Sequence, residues 1–363
     1  MIIVDGHLDL AWNALQWNRD LLADTMVIRT REATTPGKGR AQNTVSLPDM
    51  QRGRVALCFA TIMARSTGRV RPHTDFDSVE QAYAIAQSHQ AYYHALAARG
   101  HVQLIRTREE AAAHLVAWHR WDAGAEPKAP VPGIMICMES ADPILDPGDL
   151  SQWWSQGLRM IGPAHQGPGR YVGGTGVTDG FNAAGLLLLR TMEASGMILD
   201  MTHLTDTAFW QALDHFAGPV IASHANSRTL VPHQRQFSDE QIRAIQQRDG
   251  VIGIGIDNWM LVPGYIKDTE GNPRVTLEHV IDHMDYLCQL TGSARHCAIG
   301  SDLDGGFGRE EAPADLDTIA DLQKLAGLLA QRGYSAEDVT AILHGNWTRI
   351  LMTHLPSAPA AAV

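Results

Sequence analysis

Histidine and carboxylate side chains repeatedly follow short apolar runs of this sequence. The five members of this set are His7, Asp9, Glu139, His203 and His224. Neutral imidazole and carboxylate groups are the ligands that zinc, manganese and cobalt take in proteins. Five ligands are enough for two metal ions when one carboxylate bridges them, so these residues indicate metal-assisted hydrolysis.

Two further candidates, His165 and Asp302, also come after apolar runs. A single histidine at the end of a strand is more often a satisfied core or loop residue than a metal ligand. Glu139 is harder to explain in that way, because a buried carboxylate is costly unless it is neutralised or bound to a cation. Ser223, beside His224, is more simply an orienting group than a nucleophile, since no G-x-S-x-G elbow surrounds it. Together the positions favour one site.

Eight short apolar segments, rich in Val, Ile, Leu and Met, predict the strands that must position these side chains. They cover residues 2–4, 55–62, 133–138, 158–161, 197–201, 220–222, 251–256 and 298–299. Because they lack strict alternation, they suit strands buried on both faces of a parallel sheet. Segments with helical periodicity separate most of them, which predicts an α/β fold, a (β/α)8 barrel of the TIM type. The active site of such a barrel lies at the carboxyl ends of its strands, where the candidates fall.

The same pattern predicts how the chain is organised. Length alone does not settle the number of domains, since α/β barrels often exceed ordinary domain size. We expect residues 1–363 to form a single barrel domain with a helical insertion at about 77–130. A C-terminal helical extension at about 336–352 begins after the capping residue Ser335. The glycine-rich run at 168–180 is predicted to be a loop at the mouth of the barrel.

The amino-acid composition limits which classes of molecule can be binding partners of this protein. Lys and Arg number 29 against 40 Asp and Glu, a formal net charge of -11, which argues against a nucleic-acid partner. The four cysteines are widely spaced in the sequence, which predicts reduced thiols rather than a disulfide framework. No leader-like segment precedes His7, and no apolar stretch of the sequence is long enough for a membrane span. We therefore expect a cytoplasmic protein that does not bind a membrane, and the sequence is compatible with a homodimer.

The residues of these motifs and their order along the chain resemble those of the membrane (renal) dipeptidase family, which are metallopeptidases of the amidohydrolase barrel superfamily. Apart from the strand-end His165, the matching segments are D-G-H-L-D-L at 5–10, M-E-S-A at 138–141, L-D-M-T-H-L at 199–204, I-A-S-H-A-N at 221–226, H-Q-R-Q at 233–236 and G-S-D-L-D-G at 300–305. Each piece alone is a weak signal. The ordered set is specific and runs over nearly the whole chain.

The resemblance implies a binuclear zinc site. One Zn²⁺ would be held by His7, Asp9 and Glu139, and the other by Glu139, His203 and His224. Glu139 would then bridge the two ions.

The resemblance also implies roles for three residues that handle the substrate. His165 would approach the scissile carbonyl oxygen, Arg235 would bind the substrate carboxylate, and Asp302 would move a proton from the attacking water to the leaving amine. The implied activity is hydrolysis of dipeptides and similar small molecules, including dipeptides with a C-terminal D-residue. Two alternatives stay open: another amide, lactam or ester as substrate, or a metal-binding relative without activity.

Two positions depart from the family pattern. Ser140 follows Glu139 where many relatives have glycine, and the segment that contains Asp257 and Trp259 stands where relatives have an Asn-Phe-Tyr sequence. If Asp257 faces the cavity as part of the substrate site, it favours substrates with a free amine or a cationic side chain. Alternatively, Asp257 pairs with a nearby arginine or caps a helix.

Overall fold

Parallel strands form the centre of the structure, a computed structural model that describes residues 1–68, 73–267 and 269–358. In chain order the strands are β1 (Ile3–Leu8), β2 (Val55–Met63), β3 (Gln103–Leu104), β4 (Gly133–Glu139), β5 (Leu158–Gly162), β6 (Ile198–Asp200), β7 (Val220–Ile221), β8 (Ile252–Ile254) and β9 (Cys297–Ile299). All of them except the short β3 correspond to the eight predicted segments.

The strands close into a barrel. Neighbours follow the order β7-β6-β5-β4-β2-β1-β9-β8, and each of these pairs is parallel. A parallel bridge between Ala222 and Ile252 joins the two ends of this order. Eight parallel strands that nearly close, with helices around them, confirm the (β/α)8 barrel predicted from the sequence.

Helices surround the barrel. They are α1 (Leu10–Leu15), α2 (Thr25–Glu32), α3 (Leu47–Arg52), α4 (Val79–Ala98), α5 (Arg108–Asp122), α6 (Leu150–Ser155), α7 (Ala183–Ser195), α8 (Asp206–His215), α9 (Asp239–Gln247), α10 (Asn258–Leu261), α11 (Leu277–Thr291), α12 (Lys324–Gln331), α13 (Ala336–Thr340) and α14 (Asn346–His354). Capping boxes fix the first turns of α4, α5 and α9. Within the described ranges, none of these helices combines the length and the apolar character that crossing a membrane requires.

Two regions predicted as helical contain more than simple helices. The region predicted at 77–130 contains α4 and α5, and β3 between them adds a short parallel pairing with β4 at Gly133 and Ile134. In the C-terminal extension, a π-helical turn at Ala341–Gly345 joins α13 to α14. The indole of Trp347 in α14 donates a hydrogen bond to the backbone oxygen of Ile299 in β9 at 2.7 Å. The extension therefore packs directly against the barrel strands.

The longer barrel strands are buried along their whole length. Every residue of β1, β2, β4 and β5 is buried, as strands covered on both faces must be. Inside such strands a polar side chain needs a partner, whereas the carboxyl ends open onto loops. The candidate ligands collect at those ends.

Candidate metal centre

The five predicted metal ligands converge at the mouth of the barrel. His7 lies near the end of β1 and Asp9 just after it, while Glu139 is the last residue of β4. His203 and His224 each lie three residues beyond a strand, β6 and β7 respectively. All five are buried. They come from four strands that are far apart in the sequence, so closure of the barrel brings them together.

The carboxylate of Glu139 lies between two groups of ligands. Its Oε1 is 3.3 Å from His203 Nε2 and 3.5 Å from His224 Nε2. Its Oε2 is 3.8 Å from His7 Nε2, which is itself 3.8 Å from Asp9 Oδ2. Two triads that could each share an ion are His7, Asp9 and Glu139, and Glu139, His203 and His224; within each triad the ligand atoms lie within 4.8 Å of one another. Glu139 is a member of both triads.

The atoms of this centre fit divalent cations. Among the residues that the structure describes, no hydrogen-bond partner reaches the buried Asp9 Oδ1 or Glu139 Oε1. A buried carboxylate oxygen in that state is costly unless a cation neutralises it. The mixture of imidazole nitrogen and carboxylate oxygen suits zinc, manganese or cobalt better than calcium or magnesium, which prefer oxygen alone.

Burial and neighbouring charges set the pKa values of the ligands. Burial lowers the pKa of His203 and of His224 well below the ordinary histidine value. Burial also acts to lower the pKa of His7, but the carboxylates of Glu139 and Asp9 outweigh it and raise that pKa to about 10. Burial raises the pKa of Glu139 to about 8. Bound cations would favour the ionised carboxylate and the neutral imidazoles at once.

Hydroxyl groups orient two of the imidazoles. Ser223 Oγ lies 2.8 Å from His224 Nδ1, as expected from the sequence, and Thr175 Oγ1 lies 2.9 Å from His203 Nδ1. When each Nδ1–H donates to its hydroxyl, the lone pair of Nε2 is left to bind a metal.

Thr175 was missed by sequence reasoning, although its neighbour carries a signal. A Cβ at Gly174 would lie 1.7 Å from the backbone oxygen of His165, so only glycine permits this approach of the loop. The backbone N–H of Thr175 then donates to the same oxygen at 2.9 Å. The close packing brings the Thr175 hydroxyl to His203.

His165 and Asp302 line the cavity above the two triads. His165 Nε2 is 3.9 Å from Glu139 Oε2, and Asp302 Oδ1 is 3.7 Å from His7 Nε2. Burial raises the pKa of Asp302 to about 7. Both residues therefore face the space next to the candidate metal ligands.

Arg235 lies on the loop after β7 and lines the same cavity. Its side chain donates from Nη2 to the backbone oxygen of His224 at 2.7 Å. The Nη1 atom is buried, and none of the described residues accepts a hydrogen bond from it. A buried guanidinium with an open donor is matched by a carboxylate that enters from the cavity.

Asp257 also lines the cavity, but it is paired with a cation. Its Oδ2 accepts hydrogen bonds from Trp259 Nε1 at 2.8 Å and from Lys267 Nζ. Asp257 precedes α10, yet within the described structure its side chain makes no capping hydrogen bond. Asp257 therefore faces the cavity and is also paired, with lysine in place of the arginine considered from the sequence. Lys267 was missed because no motif marks its loop.

The backbone turns sharply at several residues of the site. Ser140, His203 and Asp302 have φ angles of +67°, +67° and +56°. Residues other than glycine adopt this left-handed conformation at a cost, whereas glycine adopts it freely. Glycine would therefore suit the position of Ser140, directly after Glu139.

Comparisons with known proteins give a family and several relatives. The family model described as "Membrane dipeptidase (Peptidase family M19)" matches residues 1–357. A curated relative from Klebsiella pneumoniae, "Uncharacterized protein in pqqA 5'region", is 32% identical over 213 residues, 56% of this chain and 74% of that protein. The dipeptidase tcpJ of Claviceps purpurea is 32% identical over 202 residues, which are 54% of this chain and only 44% of that protein.

Solved structures share the fold over nearly the whole chain. A metallopeptidase from Rhodobacter sphaeroides, whose crystal structure is liganded with a phosphinate mimic of the dipeptide L-Ala-D-Ala, superposes with a TM-score of 0.74. The match covers 98% of this chain and 99% of that chain. Sequence identity is 22%, so the likeness shows a common fold.

Proposed function

The chain belongs to the membrane dipeptidase family of metallopeptidases, and on that premise we propose that it is a binuclear zinc dipeptidase. Its substrates would be short peptides, including dipeptides with a C-terminal D-residue. The observation that carries the proposal is the position of Glu139, which directs Oε1 toward His203 and His224 and Oε2 toward His7. A carboxylate whose two oxygens point to different groups of ligands is suited to bridge two cations.

The two triads would each hold one zinc ion. His7, Asp9 and Glu139 would bind the first ion, and Glu139, His203 and His224 the second. Such ions supply Lewis acidity, which polarises the scissile carbonyl and lowers the pKa of a nearby water.

Three further side chains of the cavity would bind the peptide and move protons. Arg235 Nη1 would donate to the C-terminal carboxylate of the substrate in a charge-assisted hydrogen bond. His165 would donate to the scissile carbonyl oxygen and stabilise the negative charge that develops there. Asp302 would accept a proton from the attacking water and deliver it to the leaving amine.

Metal analysis combined with turnover tests the proposal. Zinc-loaded protein should contain two zinc ions per chain and hydrolyse Ala-Ala or Ala-D-Ala, and removal of zinc by a chelator should abolish the activity until zinc is restored. Retention of at most one metal would contradict the binuclear centre. Turnover of lactams or esters without turnover of any dipeptide would favour the other amidohydrolase alternative.

Location and assembly stay predictions from the sequence. We propose that the protein is cytoplasmic, that it does not bind a membrane and that it can form a homodimer. Fractionation of the source cells and light scattering of the purified protein measure these two properties.

A further inference from the structure

Two buried aspartates beneath the metal centre, Asp5 and Asp200, have no part in the proposed reaction. Asp5 lies within β1 and Asp200 is the last residue of β6. They are 0% and 5% exposed. Neither belongs to a candidate triad, and neither is among the described residues that line the cavity. A carboxylate inside a barrel strand needs a local reason, because its burial is costly.

One carboxylate oxygen of Asp5 joins the ends of two neighbouring strands. Its Oδ1 accepts hydrogen bonds from the backbone N–H of His7 at 3.2 Å and from that of Ser301 at 2.8 Å. His7 is in β1 and Ser301 follows β9, and these two strands pair at Asp5 and Ile299. Ser301 directly precedes Asp302. A single side chain therefore holds both the backbone of a candidate ligand and the turn that carries the proposed proton carrier.

Asp200 makes the same kind of connection on another part of the barrel. Its Oδ1 accepts hydrogen bonds from the backbone N–H of Thr202 at 3.0 Å and from that of Ser223 at 2.9 Å. Thr202 follows β6 and directly precedes His203, and Ser223 follows the neighbouring strand β7 and directly precedes His224. Asp200 therefore ties together the two turns that carry the histidines of the second triad.

The backbone next to these bonds is strained. Asp302 and His203 each directly follow a residue whose N–H is bound to one of the two aspartates, and their φ angles are +56° and +67°. Residues other than glycine keep such a conformation only where the surrounding structure fixes it. A hydrogen bond in the buried interior is electrostatically stronger than one in water, so Asp5 and Asp200 are suited to fix these turns.

We propose that Asp5 and Asp200 are positioning residues, each of which holds the ligands of one metal triad in place before the metal binds. Asp5 acts on His7 in the first triad, and Asp200 acts on His203 and His224 in the second. None of their four hydrogen bonds reaches Glu139, which both triads share. The inference rests on the proposed function, since it assigns the triads to two metal ions.

Removal of each carboxylate should weaken one metal site and leave the other intact. Loss of a group that orients metal ligands typically lowers metal affinity by about 10- to 100-fold. We therefore expect Asp5→Ala and Asp200→Ala each to bind one Zn²⁺ more weakly by that factor and the other with wild-type affinity. Competition with a chromophoric chelator measures both affinities, and the visible absorption of bound Co²⁺ reports the geometry of each site.

A second substitution shows which of the two sites each aspartate holds. Asp9→Ala removes a ligand of the first triad only, and His203→Ala removes a ligand of the second only. Added to Asp9→Ala, the substitution Asp5→Ala should leave the affinity for the remaining ion unchanged. Added to His203→Ala, it should weaken that affinity. Asp200→Ala should give the opposite pattern in the two backgrounds.

Two controls separate positioning from a general loss of stability. Asp5→Asn and Asp200→Asn keep an Oδ1 atom that accepts hydrogen bonds, and should retain more of the zinc affinity than the alanine variants. Asp49→Ala removes another buried carboxylate, which is 3% exposed and accepts the backbone N–H of Thr25 at 3.1 Å. Asp49 lies in α3, which carries none of the candidate ligands. This variant should lose thermal stability but bind both ions with wild-type affinity.

Hydrogen exchange of the wild type tests the proposal even if an alanine variant does not fold. After removal of zinc by a chelator, the amides of His7, Thr202, Ser223 and Ser301 should exchange as slowly as the amides within the barrel strands. That result is expected because the aspartates, and not the metals, hold these turns. Fast exchange that becomes slow only after zinc is restored would overturn the proposal.

Failure of the inference and failure of the proposed function give different results. If the wild type binds fewer than two zinc ions or cleaves no dipeptide, the proposed function is wrong. If the wild type binds two ions but both alanine variants keep wild-type affinity at both sites, Asp5 and Asp200 do not position the ligands. Equal weakening of both sites in either variant would also overturn the proposal, because each aspartate contacts the turns of one triad only.

Discussion

Removal of the guanidinium of Arg235 tests how the cavity holds its substrate. In Arg235→Ala, a dipeptide should lose the proposed partner of its C-terminal carboxylate. Breaking a buried charge pair costs about 2–5 kcal/mol. With 1.4 kcal/mol for each factor of ten, the loss in kcat/KM is roughly 30- to 4000-fold. We expect the upper part of this range, because Arg235 is only 3% exposed and water screens its charge little.

The same variant also removes a structural contact, so the assay must separate two effects. Arg235 Nη2 donates to the backbone oxygen of His224, and its loss can displace that proposed metal ligand. We therefore compare each free dipeptide with its C-terminal amide, which lacks the negative charge. Displacement of His224 slows both substrates equally, whereas loss of the charge pair slows only the free acid. The wild type should prefer the acid by the factor given above, and Arg235→Ala should erase the preference.

A conservative variant and a distant one complete the test. Arg235→Lys keeps a positive charge and should retain part of the preference for the acid. Arg332→Ala removes an arginine that pairs with Asp282 and Glu278 near the surface, and should change neither rate. Equal wild-type rates on acid and amide would refute the reasoning, and so would a variant that slows both substrates by the same factor.

Four further predictions follow from individual residues. Glu139→Gln should lower the zinc content from two ions per chain to one or fewer by metal analysis, because a neutral amide is a poor bridge between two cations; full metal content and activity would exclude bridging. Asp302→Asn should keep both metals but lower kcat by about 10²–10⁴, and a change confined to KM would make Asp302 a binding residue. Ser140→Gly should raise the free energy of unfolding by roughly 1 kcal/mol in urea titrations, since glycine relieves the positive φ of +67°. Burial lowers the pKa of His283 to about 4, so its contribution to stability is complete above the unfolded pKa of about 6.5 and is lost as the pH falls toward 4, up to roughly 3 kcal/mol. His283→Gln should flatten that part of the stability profile, and parallel profiles for variant and wild type would contradict the assignment.

The partners of His283 explain why its neutral form is required. Its Nδ1 accepts a hydrogen bond from the backbone N–H of Ser227 at 3.3 Å, and its Nε2–H donates to the backbone oxygen of Leu261 at 3.2 Å. A proton on Nδ1 would remove the acceptor. Acid would therefore weaken the link between the loop after β7 and α10, the two elements next to Arg235 and Asp257.

The sequence by itself determined the barrel and the types of ligand at its mouth. A continuous run of apolar residues indicates a strand that is buried on both faces. Such a run can be recognised from neighbouring residues of the sequence alone. Because Glu139, His203 and His224 each follow such a run, the sequence predicts that they lie at the ends of strands. That reading placed them on one edge of a parallel sheet before any distance was known.

The tertiary structure alone decided which groups those side chains meet. Three contacts join segments that are distant in the sequence and that no sequence pattern relates. They are the hydrogen bond between Thr175 and His203, the ion pair between Lys267 and Asp257, and the ion pair between Lys267 and Glu311. Local pattern records whether a side chain is buried, but not which distant residue neutralises it, because that depends on how loops from different strands pack over the barrel. The pairing of Asp257 with Lys267 therefore could not be predicted from the sequence, because it depends on how the loop that carries Lys267 packs.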